Sequence, residues 1–389
     1  MKKAMNYSLL PAAWAAILSI LLSGPAYAAT LQVGLQRALK LPSEAAQVAK
    51  DGDVVAIDAG MYPGDVAIWP QNRLTLRGVG GRAHLEAKGK VAEGKAIWVL
   101  KGNAVTVENI EFSGARAASL NGAGIRFEGT NLTIRNSHFH DNEMGILMGV
   151  NPLSDILIEG SEFNNNTVAQ HYIDPGHNIY IGNVRRFTLR NSYIHDANIG
   201  HNVKSRAKEN YILYNRIMDE RNGSSYLVDL PDGGNSYIIG NLFRQSENTD
   251  NPAMIAFAAE HNRDNPRQTL YVVNNTFVND RNGGIFVNNH SVAPAILINN
   301  LFVGKGTVLA GPGEQKQNLA VEDASFKNRA AYDYHLLPGS VAIDKGIDPG
   351  RSAGGFVLRP GFQYVHPLGS EVRRQQGPID VGAYESGGR

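Results

Sequence analysis

Four of the chain's eleven histidines fall within residues 171–201, interleaved with aromatic, amide and charged side chains. His171-Tyr-Ile-Asp-Pro-Gly-His177-Asn178-Ile-Tyr180 is followed by His195-Asp196 and by Gly200-His201-Asn202-Val-Lys204-Ser-Arg206. A third polar run, Ser224-Ser-Tyr226-Leu-Val-Asp229-Leu-Pro-Asp232, comes next. These residue types suit holding an anion and moving a proton beside it. A guanidinium pairs a carboxylate bidentately. A lysine beside another cation gives up its proton more readily and becomes a usable base. A nearby Tyr or His supplies an acid. Charge points the same way. Arg185 to Arg221 holds eight Lys or Arg against four Asp or Glu, a local +4 in a nearly neutral chain. A concentrated basic patch suits an anionic ligand.

The rest of the composition excludes several chemistries. The 389 residues include no Cys, so a disulfide framework, a thiolate metal site and a Cys nucleophile are ruled out. Net charge is +1, with none of the basic excess of a nucleic-acid binder. Lys2-Lys3, an apolar run from about Leu9 to Leu22 and Ala26-Tyr27-Ala28 read as a secretory signal peptide over 1–28. The run is short for a membrane span. The expected mature chain is periplasmic or secreted, bacterial, monomeric and without a membrane span. It loses Lys2 and Lys3 and carries −1.

The residues that could do chemistry sit inside a repeat. Val105-Thr-Val107-Glu-Asn109 with Phe112 returns as Leu132-Thr-Ile134-Arg-Asn136 with Phe139. It returns again as Ile156-Leu-Ile158-Glu-Gly160 with Phe163, and as Phe187-Thr-Leu189-Arg-Asn191 with Ile194. Looser copies run to Phe302. Within each copy apolar residues alternate, which is the period of a strand. Between copies lie further short alternating runs such as Gly124-Ile-Arg-Phe127 and Gly145-Ile-Leu-Met148. Two or three short strands per repeat, turning at Asn and Gly, make one coil of a solenoid. Asn tolerates the left-handed backbone and bonds its neighbours, so the repeated Asn residues read as structural turn positions.

This pattern resembles the right-handed parallel β-helix proteins of the pectate-lyase-like class. The resemblance implies an all-β fold, one right-handed single-stranded parallel β-helix over 29–389. It implies nine to eleven coils, an N-terminal cap over about 30–62 with a helix near Gln32 to Val48, and a closing segment over about 330–389. The closing segment is expected from Tyr334-His-Leu-Leu-Pro-Gly-Ser-Val-Ala-Ile-Asp344 and Gly377-Pro-Ile-Asp-Val-Gly-Ala-Tyr384.

Alternation then sorts the site. With Ile179 and Val203 inward, Asn178, Tyr180, Asn202, Lys204 and Arg206 face outward, and Tyr180 and Lys204 sit on neighbouring coils about 4.8 Å apart. Asp229 joins them on a third coil if Tyr226 and Val228 face inward. Lys204, Arg206, His201 and Tyr180 are the candidate catalytic residues. His177, Asn178, Asn202, Tyr226 and Asp229 are the candidate sugar contacts. Being outward, Lys204 and Arg206 are expected to support little core. Lyases of the resembled class use Lys or Arg on a uronate, sometimes with calcium, so calcium is a possible cofactor and an anionic polysaccharide the expected partner. Three other readings stand. Tyr172-Ile-Asp174-Pro-Gly-His177 is similar, with an inserted Gly, to the Tyr and Asp-Pro-His of uronan C5-epimerases. Asp229, Asp232 and Glu260 are carboxylates of the kind a glycoside hydrolase needs. A glycan-binding solenoid needs no catalysis at all.

The first 28 residues generate the first prediction. Mass spectrometry of the natively expressed protein should find an N-terminus at Ala29, and intact Met1 or Lys2 would contradict export by this route.

Overall fold

A computed structural model describes residue 1 and residues 28–168, 176–221, 223–260, 265 and 267–387. The signal-peptide segment, and His171 to Pro175 with Tyr172 and Asp174, lie outside the described residues. Among the described residues, no helix is long and apolar enough to cross a membrane.

The short strands stack in parallel into three columns. One is a ten-stranded sheet from Ala67–Trp69 to Thr307–Ala310, one strand per coil, within the expected count. The other two columns form a 21-stranded sheet. They merge because Val54–Pro63 and Thr75–Glu86 each run on around the corner, with a register shift between Asp58 and Gly60. The repeat read from sequence is the register itself. Phe112, Phe139, Phe163, Ile194, Ile217, Phe243, Phe277 and Phe302 stand directly above one another. All are fully buried. Phe139 and Phe163 stack at 4.5 Å between ring centroids, and Phe243 and Phe277 at 4.7 Å.

The corner after each copy has two layers. Asn109, Asn136, Gly160, Asn191, Tyr214, Gly240, Asn274 and Asn299 all have positive φ. The residue that follows points inward and forms a ladder. The backbone N–H of Ser137 donates to Ser161 Oγ, Ser161 N–H to Ser192 Oγ, and Ser192 N–H to Asn215 Oδ1. Asn215, Asn241, Asn275, Asn300 and Asn318 continue it, with amide and backbone donors on each next Oδ1. Asn215 is therefore one position out of phase with Asn191. Asn serves in both layers, with positive φ at Asn191 and as an inward acceptor at Asn215.

A second ladder lies at another corner. Asn142 donates to Asn166, Asn166 to Asn178, Asn178 to Asn202, and Asn202 to Asp219 Oδ1. Asp219 also accepts from the hydroxyls of Ser224 and Thr249. Asn178 and Asn202 are completely buried. They hold coils together and do not face a ligand. Each precedes its three-residue strand, so the alternation that places Tyr180 and Lys204 outward does not reach back to them.

Both ends depart from expectation in detail. Gln32 belongs to a strand, Thr30–Val33, paired with Val54 to Ile57, and only Pro42–Val48 is helical. The β-branched and alternating residues before Gly34 favour the strand, and Pro42 at the first turn starts the helix. Ala45 of this helix is fully buried over the first coils. The closing segment runs back along the outside of the coils. Tyr334, Tyr364, Val381 and Tyr384 pack on Tyr193, Met218, Leu242, Val278 and Leu301. Leu358 and Phe356 cover Tyr211, Tyr237 and Tyr271 on the adjacent face. Arg373 is buried and donates to Glu385 at 2.8 Å.

The end of the second ladder is testable. Burial pushes the Asp219 carboxyl up to about 7, against the bonds from Ser224, Asn202 and Thr249. A raised folded-state value favours folding while the group is protonated, and that contribution is lost as pH rises from about 4 through about 7. Asp219→Asn keeps the shape and removes the buried charge. Denaturant titrations should show it more stable than the wild type at pH 8, by up to about 4 kcal/mol, with the difference gone at pH 4. A pH-independent difference would contradict this.

Candidate functional site

The outward side chains of the ten-stranded sheet form rows across the coils. Arg126, Leu147, Tyr180, Lys204 and Asp229 occupy one row in strict register. Tyr180, Lys204 and Asp229 thus meet as expected. Lys204 Nζ lies 3.2 Å from Asp229 Oδ2 and 5.9 Å from the Tyr180 ring centroid. Tyr226 is not inward. Leu227 and Val228 fill the core, and Tyr226 leans on His201 with ring centroids 5.1 Å apart.

His177 and His201 stack at 4.8 Å in a second row. Their close approach depends on glycine just before. A Cβ on Gly200 would sit 1.5 Å from the Gly176 carbonyl oxygen. His177 Nδ1 accepts the backbone N–H of His201, and His201 Nδ1 accepts that of Tyr226. Each ring therefore carries its proton on Nε2. Burial, then Lys204 and Arg206, drives His177 down to about 3, and burial with His177 and Lys204 puts His201 well below the usual value. Both are neutral donors near pH 7. His201 Nε2 faces Asp229 Oδ2 at 3.5 Å. In this form His201 is a neutral hydrogen-bond donor in the site.

Arg206 organises the floor. Its guanidinium donates to Tyr180 Oη at 3.0 Å, Asp232 Oδ1 at 2.7 Å and Glu260 Oε2 at 2.6 Å. Glu260 also reaches Lys204 at 3.5 Å. Burial works to raise the Glu260 carboxyl, and Arg206 and Lys204 overcome it. Lys204 and Arg206 are thus joined by three carboxylates. Asp229 is buried, and burial pushes its carboxyl up to about 6 against the pull of Lys204. Calcium at this spot would meet carboxylates already paired with cations.

The wider basic patch dissolves in the structure. Arg185 pairs with Asp155, Arg186 with Glu209, Arg190 with Glu159 and Arg216 with Glu220. All four lie on the other two columns, away from Lys204. His195 also lies there, bonded to Asp196.

Tyr180, Lys204, His177 and His201 line a groove of about 530 Å³. Its far wall is Ser119, Asn121, Arg126 and Met144, which sequence clustering misses. The signal was present in Gly124-Ile-Arg126-Phe127, whose outward residue shares the row of Tyr180. Among the described residues, the buried Arg126 Nε has no hydrogen-bond partner. Its nearest carboxylate contact is Glu128 at 3.8 Å. The groove can therefore receive an anion at one end, and it offers a phenol, an amine and imidazole donors at the other.

Comparison with known proteins adds the handedness. Residues 88–243 match the family described as "Right handed beta helix region". The protein is a right-handed parallel β-helix. The structure of pectate lyase Pel9A superposes with a TM-score of 0.64 at 13% identity, covering 92% of this chain and 96% of that one. An alginate lyase from Paenibacillus sp. str. FPU-7 gives a TM-score of 0.41 at 13% identity, covering 76% of this chain and 99% of that one. No curated protein sequence matches the chain.

Arg206 changes a stability expectation. Asp232 is fully buried against it, so Arg206 is not a dispensable surface residue. Arg206→Ala leaves a buried carboxylate without its cation and should cost about 3 kcal/mol in denaturant unfolding. A cost within about 0.5 kcal/mol would show the pair to be solvated.

Proposed function

We propose that the groove binds an acidic, uronate-containing glycan and cleaves it by β-elimination. The observation that supports this most is a groove lined by Arg126 at one end and by Tyr180 and Lys204 at the other, with the buried Asp229 behind Lys204. Likeness in fold to a pectate lyase agrees with this reading.

In the proposed reaction Arg126, three strands from Lys204 along the row, binds the carboxylate of a neighbouring uronate and holds the acidic chain in the groove. Lys204 removes the C5 proton. Bound glycan excludes water from the Lys204–Asp229 pair, and loss of water disfavours two separate charges. The proton moves from the ammonium to Asp229 and leaves a neutral amine. Tyr180, oriented by the Arg206 N–H on its oxygen, gives its proton to the glycosidic oxygen as the C4–O bond breaks. The double bond forms between C4 and C5. His177 and His201 contribute neutral N–H donors to the sugar. Arg206 positions Tyr180 and Glu260 and does not touch the substrate. An anionic polysaccharide is the partner of this reading, and a periplasmic or extracellular location accords with it.

Polyuronate incubated with the protein should develop the near-ultraviolet absorbance of an unsaturated sugar. New reducing ends without that absorbance would replace the proposal by hydrolysis, and a C5 change without chain shortening by epimerisation. Lys204→Arg keeps the charge and removes the usable base. It should bind glycan and lose at least about 100-fold in kcat. The wild-type rate should rise with pH through about 6 as Asp229 ionises, and Asp229→Asn should lack that limb. Full activity in Lys204→Arg would reject the base assignment.

A further inference from the structure

The outer face of another column carries a second polar cluster that the groove does not touch. His84 stands beside Glu111 in the register of Thr75–Glu86 with Ile110–Ser113, and His140 lies on the next coil, beside Ser113. His84 Nδ1 is 3.2 Å from Glu111 Oε1, and His140 Nε2 is 3.1 Å from the same oxygen. All three atoms lie within 4.8 Å of one another. One nitrogen of each ring and one carboxylate oxygen thus converge on a point.

The opposite ring nitrogens are held from behind. His84 Nε2 bonds Ser113 Oγ at 2.7 Å, and His140 Nδ1 bonds Asp141 Oδ2 at 2.7 Å. Partners of this kind fix the tautomer and ring angle of a metal-binding histidine. In the tautomer whose outer N–H groups are given to Ser113 and Asp141, both inner nitrogens present lone pairs to an ion.

We propose that His84, Glu111 and His140 bind one divalent transition-metal ion of the zinc class. Two imidazoles and a carboxylate suit that class, whereas calcium takes oxygen ligands throughout. The ligands come from three successive coils, so the ion cross-links them. Their side chains are about one-fifth exposed, which leaves room for water on the ion.

A neighbouring group, His195, Asp196 and Glu220, shows what a purely structural cluster looks like here. Asp196 accepts the backbone N–H groups of Glu220 and Arg221, and Glu220 binds Tyr193 and Arg216. Its ligand atoms are committed to closing a turn. The Glu111 Oε1 atom lies against the inner nitrogens of His84 and His140. The closing segment covers this outer face only as far as His366 on Tyr193, so the His84 end stays open.

The proposal is independent of the glycan groove and is tested by calorimetric titration of chelator-treated folded protein with zinc chloride. One equivalent should bind with Kd on the order of 1 μM or tighter, and the thermal midpoint should rise. His140→Ala and Glu111→Gln should each abolish that binding. Asp141→Asn should weaken it about 10-fold. Lys204→Ala should bind zinc like the wild type. Circular dichroism confirms that each variant is folded, and variants that do not fold are replaced by His84→Gln. No saturable zinc binding, zinc binding unchanged in Glu111→Gln and His140→Ala, or equal affinity for calcium would overturn the assignment.

Discussion

The structure rests on one constraint: each coil must turn a corner while its backbone N–H groups point at the coil below. The left-handed residue at the corner makes the turn, and the next residue's side chain accepts the N–H that the turn would otherwise strand. A buried donor without a partner costs about 1–3 kcal/mol, and this corner recurs from Ser137 to Asn318. The ladder fixes both the spacing of the coils and their rotation about the axis. Everything else, including which residues share an outward row, follows from it.

Much of this was legible because a solenoid repeats its physics. The phenylalanine row and the left-handed Asn positions recur at the same offset in each coil, so sequence spacing gave the register directly. The Tyr180–Lys204 pair followed from alternation within single strands, and Asp229 joins it in register although Tyr226 does not face inward. Alternation ended where the strands did. Asn178 and Asn202 precede strands of three residues and turn inward into the second ladder. The same residue type serves a glycan site and an interior ladder equally well, so type could not separate the two.

Charge was the least legible property. A local excess counted along the chain ignores partners one or two coils away. Glu260 reaches Arg206 across 54 residues, and Asp155 reaches Arg185 across 30. In a parallel solenoid each outward residue has neighbours in space about one coil before and after it. The relevant sum runs across coils. Counted that way, most of the apparent basic surface resolves into compensated pairs, and Arg126 is held more loosely, its carboxylate contact to Glu128 being 3.8 Å. The histidine cluster at His84 was hidden for the same reason, since its members are 27 and 29 residues apart along the chain.

The returning C-terminal segment orders the life of the chain. A solenoid can grow coil by coil, each new turn docking on the last. The strip from Tyr193 to Leu301 is an exception, because its cover of Tyr334, Tyr364 and Tyr384 is the last part to be made. Until then several coils carry a finished interior and an unfinished exterior, with aromatic and aliphatic side chains open to any passing surface. Release of a shortened chain inside the cell would leave the strip bare, and bare apolar strips on stacked strands are where such proteins stick to one another.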